Sequence, residues 1–98
     1  MSEPRVLTGG GWNHRVVYDP QSRQFTIREV YYDKAGAVSM WTQRPMEPQG
    51  ETFNSLLLDC ARFIGAANKP VLCEETTGEG RFVLREMTTE EVYTIKGE

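Results

Sequence analysis

The segment from Gly50 to Pro70, GETFNSLLLDCARFIGAANKP, carries the clearest amphipathic pattern in the chain. Its apolar residues recur at the spacing that lines one side of a helix with 3.6 residues per turn: Phe53, Leu56, Leu57, Cys60, Ala61, Ile64 and Ala67. We therefore predict a helix from about residue 53 to about residue 67. Leu57 and Ile64 are predicted to lie at the centre of its buried face.

The ends of this helix have capping residues. Thr52 can accept a hydrogen bond from an amide of the first turn, and Glu51 adds negative charge at the positive end of the helix dipole. At the other end, Asn68 can take the left-handed cap conformation, and Pro70 ends the helical geometry. Leu58 lies away from the apolar stripe. One interpretation is that a neighbouring loop covers Leu58 or that it is simply exposed in a monomer. The other is that it contacts a second chain.

Strand-like runs surround the helix. Three precede it, at 13–18, 24–32 and 37–43, and they are separated by the turn sequences of residues 19–23 and 33–36. The proline-containing segment 44–50 then breaks the sheet. After the helix, 81–87 is predicted to be a strand and 74–80 a loose connection. Residues 88–95 combine a capping-box pattern with strand composition, and we favour a short strand or an irregular tail.

These elements predict an α+β fold. We expect one domain covering residues 1–98, with an antiparallel sheet of three to five strands in β-β-β-α-β order and one main helix packed on one face. Residues 1–11 are polar and rich in glycine, which predicts a mobile N-terminal arm.

Composition excludes several classes of function. The net charge is −3 and the pI is near 5.2, so sequence-independent nucleic-acid binding through a broad basic field is not expected, which leaves a local basic patch as the alternative. The sequence has no apolar signal segment and no run long enough to cross a bilayer. We expect a cytoplasmic protein that does not act at membranes.

Catalytic and metal-binding patterns are not recognisable. The chain has one histidine and two cysteines, and Cys60 and Cys73 form neither a zinc-binding spacing nor a disulfide framework. His14 has no visible catalytic partner, and the acidic residues form no local motif. We predict that the protein is not an enzyme and has no cofactor or metal.

The candidate binding residues are aromatic, basic or sulfur-containing. Trp41, Arg44 and Met46 flank the proline-containing loop, and these residue types are enriched where protein partners bind. The alternative is that Trp41 and Met46 fill the core. Tyr32 has the same two interpretations, packing within the sheet or contact with a partner. Leu58 is the remaining candidate binding residue.

Self-association is a further expectation. In the second strand Phe25, Ile27 and Tyr31 alternate with residues that include Val30 and Tyr32, so both faces are partly apolar. A single helix covers only one face of such a sheet. An uncovered face with Val30 and Tyr32 would favour a homodimer.

Several short motifs resemble those of a group of small, functionally uncharacterised bacterial proteins: Trp12-Asn13, Arg15-Val16-Val17, Glu29-Val30-Tyr31-Tyr32-Asp33, Gly50-Glu51-Thr52 and Lys69-Pro70-Val71-Leu72. More distantly, three strands, a proline-containing loop, a Gly-x-Thr helix start and a following strand are similar to the HicB antitoxin domain. That resemblance implies a truncated RNase H-like fold without catalytic machinery. The sequence departs from the antitoxins at Phe53-Asn54-Ser55, where they have an acidic helix start.

These observations favour a small, non-enzymatic protein-binding module. A HicB-like neutralising protein or an inhibitor encoded by a mobile element would be a specific form of it. The alternative is a nucleic-acid-binding or degenerate RNase H-like module that uses Arg15, Arg23 and Arg28 together with aromatic faces.

Overall fold

The computed structural model describes residues 11–95, which form five strands and two helices. The elements are β1 Gly11–Asp19, β2 Gln24–Tyr32, β3 Val38–Trp41, α1 Phe53–Ala67, β4 Leu72–Thr76, β5 Phe82–Glu86 and α2 Thr89–Thr94. The predicted N-terminal arm lies outside the described residues apart from Gly11, which belongs to β1.

The five strands form one mixed sheet in the order β3-β2-β1-β4-β5. The α+β class is confirmed, but the purely antiparallel sheet is wrong, because β4 pairs in parallel with β1 while the other neighbouring pairs are antiparallel. The cause is α1, which carries the chain from β3 across the sheet so that β4 returns beside β1. A crossover through a helix is the usual connection between parallel strands.

Two segments after α1 differ from the prediction. Residues 74–76, expected in a loose connection, belong to β4, and the segment 88–95 contains α2 instead of a strand or irregular tail. In α2 the capping box forms: the Thr88 side chain accepts from the Glu91 amide, and the Glu91 carboxylate accepts from the Thr88 amide. Two satisfied end amides outweigh the strand composition of the residues that follow.

The predicted turn at Asp33–Gly36 is present. Gly36 has φ 89°, a left-handed value that a residue without a Cβ adopts readily. Asp33 Oδ1 accepts from the amides of Ala35 and Ala37 at 2.9 and 3.0 Å. The Asp33 side chain therefore stabilises the turn that joins β2 to β3.

Helix α1 has the predicted bounds and N-cap. The Thr52 side chain accepts from the Ser55 amide at 3.0 Å, and Ser55 completes a capping box. Asn68 is the C-cap but has φ −89°, so the predicted left-handed cap is wrong.

Helix α1 packs on the face of the sheet that carries His14, and the rings of His14 and Phe63 are 4.9 Å apart. The side of α1 turned toward the fold consists of Leu56, Cys60, Phe63 and Ala66, which are partly or fully buried. The predicted burial of Leu57 and Ile64 is wrong, since these side chains are 49% and 65% exposed. The apolar residues of α1 span a wide arc, and the sheet covers only one part of it.

The opposite face of the sheet holds the tightest core. Val17, Val30 and Leu72 pack together there and are at most 3% exposed, with Trp41 and Tyr32 against them. The predicted uncovered patch containing Val30 is therefore wrong, because Val30 is fully buried.

Candidate protein-binding surface

Two buried arginines dominate the polar groups on the Val17 face. Arg15 of β1 and Arg28 of β2 are direct cross-strand partners, and they are only 8% and 6% exposed. Like charges at such a pair repel each other, so this arrangement requires partners that hold both guanidinium groups.

Arg15 is held by hydrogen bonds that join three parts of the fold. Its Nη1 donates to Tyr32 Oη at 3.0 Å and its Nη2 donates to the Pro70 carbonyl at 2.7 Å. Tyr32 Oη in turn donates to Asn13 Oδ1 at 2.7 Å. Arg15 Nε is buried and has no hydrogen-bond partner among the described residues. Arg15 thus ties β1 to β2 and to the connection that enters β4.

Arg28 belongs to a second group of contacts centred on Glu74. Arg28 Nε donates to Thr26 Oγ1 at 2.9 Å, and its Nη1 donates to the Thr42 carbonyl at 2.9 Å and lies 3.9 Å from Glu74 Oε2. Trp41 Nε1 donates to the same Glu74 oxygen at 2.7 Å. Because β3 and β4 are separated by β2 and β1, the Trp41–Glu74 bond spans the Val17 face. These side chains cover the aliphatic core beneath them.

The predicted binding residues do not form one site. Trp41 and Tyr32 are half-buried and engaged in the contacts of the Val17 face. Arg44 is exposed, and Met46 is half-buried in the loop, where its amide donates to the Ile27 carbonyl at 2.7 Å. Leu58 is 63% exposed on α1, which lies on the other face of the sheet.

The structure instead exposes an apolar side of α1 that sequence reasoning assigned to the core. Phe53, Leu57 and Ile64 are 74%, 49% and 65% exposed, and Ala61 between them is exposed too. At about 100° per residue these four residues fall within an arc of about 80°. We call them the outer face of α1. Leu58 points about 100° away from Leu57, so it does not belong to this face.

A shallow depression of about 360 Å³ is lined by Asp19, Pro20, Gln21, Glu74, Glu75, Thr76 and Phe82. Its three carboxylates are already engaged. Asp19 accepts from the Gln21 amide and from Ser22 Oγ, Glu74 accepts from Trp41, and Glu75 pairs with Arg85. Carboxylates that satisfy structural donors are poor candidates for acid–base chemistry.

The thiol of Cys73 and the phenol of Tyr31 both have raised pKa values. Burial raises the pKa of the Cys73 thiol, which keeps it in the unreactive protonated form. Tyr31 Oη donates to Glu29 Oε1 at 2.6 Å, and this bond, with burial, raises the pKa of Tyr31. Neither residue has the lowered pKa of an activated nucleophile.

Within residues 11–95, no group of three or more His, Cys, Asp or Glu side chains is placed to hold a metal ion. Among the same residues, neither helix is long and apolar enough to span a membrane. Comparison of the chain with protein-family models, curated proteins and solved structures finds no match.

Proposed function

We propose that the protein is a small, non-enzymatic protein-binding module and that the outer face of α1 is its binding surface. The observation that carries the proposal is the exposure of Phe53, Leu57 and Ile64 on one side of a capped, regular helix. Contiguous exposed apolar area is typical of interaction sites in small proteins. Helices that present apolar residues on one side, here at positions i, i+4 and i+11, are also common in peptide and protein recognition.

The rest of the fold supports a binding role for this helix. The Val17 face is engaged in internal contacts, and α1 is anchored to the sheet through Phe63 and to the preceding loop by the Gln49 amide, which donates to Asp59 Oδ2 at 2.9 Å. A surface on a rigid element loses little conformational entropy on binding.

A HicB-like neutralising role or inhibition of a host system remains a specific form of this proposal. Its support is the order of elements: three strands, the loop through Pro45 and Pro48, the helix start at Thr52, and a following strand. In that form the outer face of α1 would contact the neutralised protein.

The competing proposal, a nucleic-acid-binding or degenerate RNase H-like module, has less support. Of the arginines it would use, Arg15 and Arg28 are buried and donate to groups within the fold. Phosphate contacts require exposed cations, and the net charge of −3 opposes them.

Affinity capture from the native host with three baits tests the proposal: the wild type, Leu57→Glu and Leu58→Glu. Both leucines are exposed and adjacent, but only Leu57 belongs to the outer face. We expect a stoichiometric protein partner, retained at high salt, that Leu57→Glu loses and Leu58→Glu keeps. Capture that is indifferent to Leu57→Glu, or salt-sensitive recovery of nucleic acid alone, would contradict the proposal.

A further inference from the structure

The outer face of α1 suits contact with another helix. Its large side chains, Phe53, Leu57 and Ile64, are 74%, 49% and 65% exposed, while Ala61 is a small exposed residue among them. A small residue within such a stripe allows a second helix to approach to the usual interaxial distance of about 8–10 Å. The large side chains on either side can then pack against the incoming helix.

Extending the proposed function, we infer that the partner of this face is a second copy of the chain, paired antiparallel through α1. A twofold axis near the middle of the helix places Phe53 of one copy against Ile64 of the other. The same axis places Leu57 opposite Ala61, so that a large residue meets a small one. The contact is isologous and closes on itself, which limits assembly to a dimer.

The apolar area is sufficient for such a dimer. If a large apolar side chain has roughly 200 Å² of surface, exposed fractions of 74%, 49% and 65% amount to on the order of 400 Å² per chain. If both faces are fully buried and supply about 65% of the interface, the usual apolar share in homodimers, the total buried surface is roughly 1,200 Å². That value is at the lower end of stable specific interfaces, about 1,200–2,000 Å².

The charges at the ends of α1 select the antiparallel orientation. Glu51 precedes the N-cap, and Lys69 follows the C-cap. In an antiparallel pair the end of α1 that carries Glu51 lies beside the end of the second copy that carries Lys69, whose Nζ donates to the Gly65 carbonyl at 3.4 Å, and the helix dipoles oppose each other favourably. In a parallel pair Glu51 would face Glu51 and Lys69 would face Lys69. Complementary end charges contribute to orientation more than to affinity.

The first experiment measures mass against concentration for the full chain by light scattering and sedimentation. From about 1 to about 500 µM, a range that covers the micromolar affinity of small interfaces, the wild type should rise from 11.2 kDa to twice that mass. Leu57→Glu should weaken the dimer at least tenfold, whereas Leu58→Glu should match the wild type. Leu57→Gln, an uncharged change at the same exposed site, provides a second disruptive variant whose fold is checked by circular dichroism.

A second experiment tests the orientation by oxidative crosslinking of Phe53→Cys and Ile64→Cys. The antiparallel pair predicts that a mixture of the two variants forms a crosslink between position 53 and position 64, while each variant alone does not crosslink at these positions. Crosslinks of 64 to 64 or of 53 to 53 would overturn the antiparallel pairing. Peptide mass spectrometry separates these products from any that involve Cys60 or Cys73.

The outcomes separate this inference from the proposed function. A monomer at every concentration, or dissociation by Leu58→Glu but not by Leu57→Glu, would overturn the second copy as partner. If host capture still depended on Leu57, the binding function would stand with a different protein as partner.

Discussion

The face of the sheet around Val17 and the face around His14 are covered in different ways. On the first, polar and aromatic side chains from the sheet itself lie over three aliphatic residues, and Trp41 reaches Glu74 across two strands. On the second, α1 packs through one side and leaves the outer face exposed. The first face depends on specific internal bonds. The second is closed by an element whose other side is free to bind.

The largest expected effect distinguishes the two regions with the same residue type. Leu72→Ala should lower the free energy of unfolding by ~2–5 kcal/mol, because Leu72 is 3% exposed in the Val17 core. Leu57→Ala should change it by less than ~0.5 kcal/mol, because Leu57 lies on the outer face. Urea denaturation at a concentration where the chain is monomeric measures both. Equal costs would mean that α1 buries the side we describe as exposed.

The second prediction tests the hydrogen bond that crosses the Val17 face. Trp41→Phe keeps an aromatic ring but removes the 2.7 Å bond to Glu74, and should cost ~1–3 kcal/mol because a partly buried carboxylate loses a donor. Trp12→Phe on the other face, where the side chain is 36% exposed and contacts the rings of His14 and Tyr31, should cost less than Trp41→Phe. A double-mutant cycle with Glu74→Ala, which removes the acceptor of this bond, measures the coupling. Additive effects of the two substitutions would show that the bond does not contribute to stability.

The third prediction concerns how the loop meets α1. A Cβ on Gly50 would lie 2.7 Å from Leu56 Cα and closer still to the Leu56 amide nitrogen. Gly50→Ala should therefore destabilise the fold by ~1–3 kcal/mol through overpacking of the first helical turn. In contrast, Gly65 lies within α1 and a Cβ there meets nothing within 4 Å, so Gly65→Ala should stabilise by ~0.5–1 kcal/mol. A stabilising Gly50→Ala in thermal denaturation would show that the loop is not packed against the helix.

The boundaries of α1 were predictable from the sequence because caps and periodicity act locally. The buried side of α1 was not predictable, because apolar residues occupy both the arc of Leu56 and Phe63 and the arc of Leu57 and Ile64. Periodicity identifies an apolar helix, but tertiary contacts decide which part is covered.

Strand β4 was missed for a related reason. Its sequence, Leu72–Thr76, contains Glu74 and Glu75, and adjacent charged residues oppose a strand assignment. Their partners Trp41 and Arg85 are distant in sequence. Hydrogen bonds and ion pairs between residues that are separated in the sequence could not be deduced from local composition. The same holds for the contacts of Arg15 and Arg28.

The smallest expected effect on stability concerns the exposed contacts of Arg85, on the face of the sheet that α1 covers. Arg85 donates hydrogen bonds to Glu75 and Glu91 there. The bond to Arg85 lowers the pKa of Glu91. A carboxylate with a lowered pKa in the folded state contributes stability above its unfolded pKa, and this contribution is lost as pH falls below the ordinary value of 4.5. Glu91→Gln should therefore lower the melting temperature slightly near neutral pH, and the difference from wild type should vanish in acid.

Since glutamine can still complete the capping box with Thr88, the variant isolates the charge, and Glu90→Gln in the same turn is the matched control. The difference should also shrink with added salt because the pair is exposed, unlike the effect of Trp41→Phe in the covered Val17 face. A difference between Glu91→Gln and wild type that persists at low pH would show that the substitution does not act through the carboxylate charge, which would contradict the prediction.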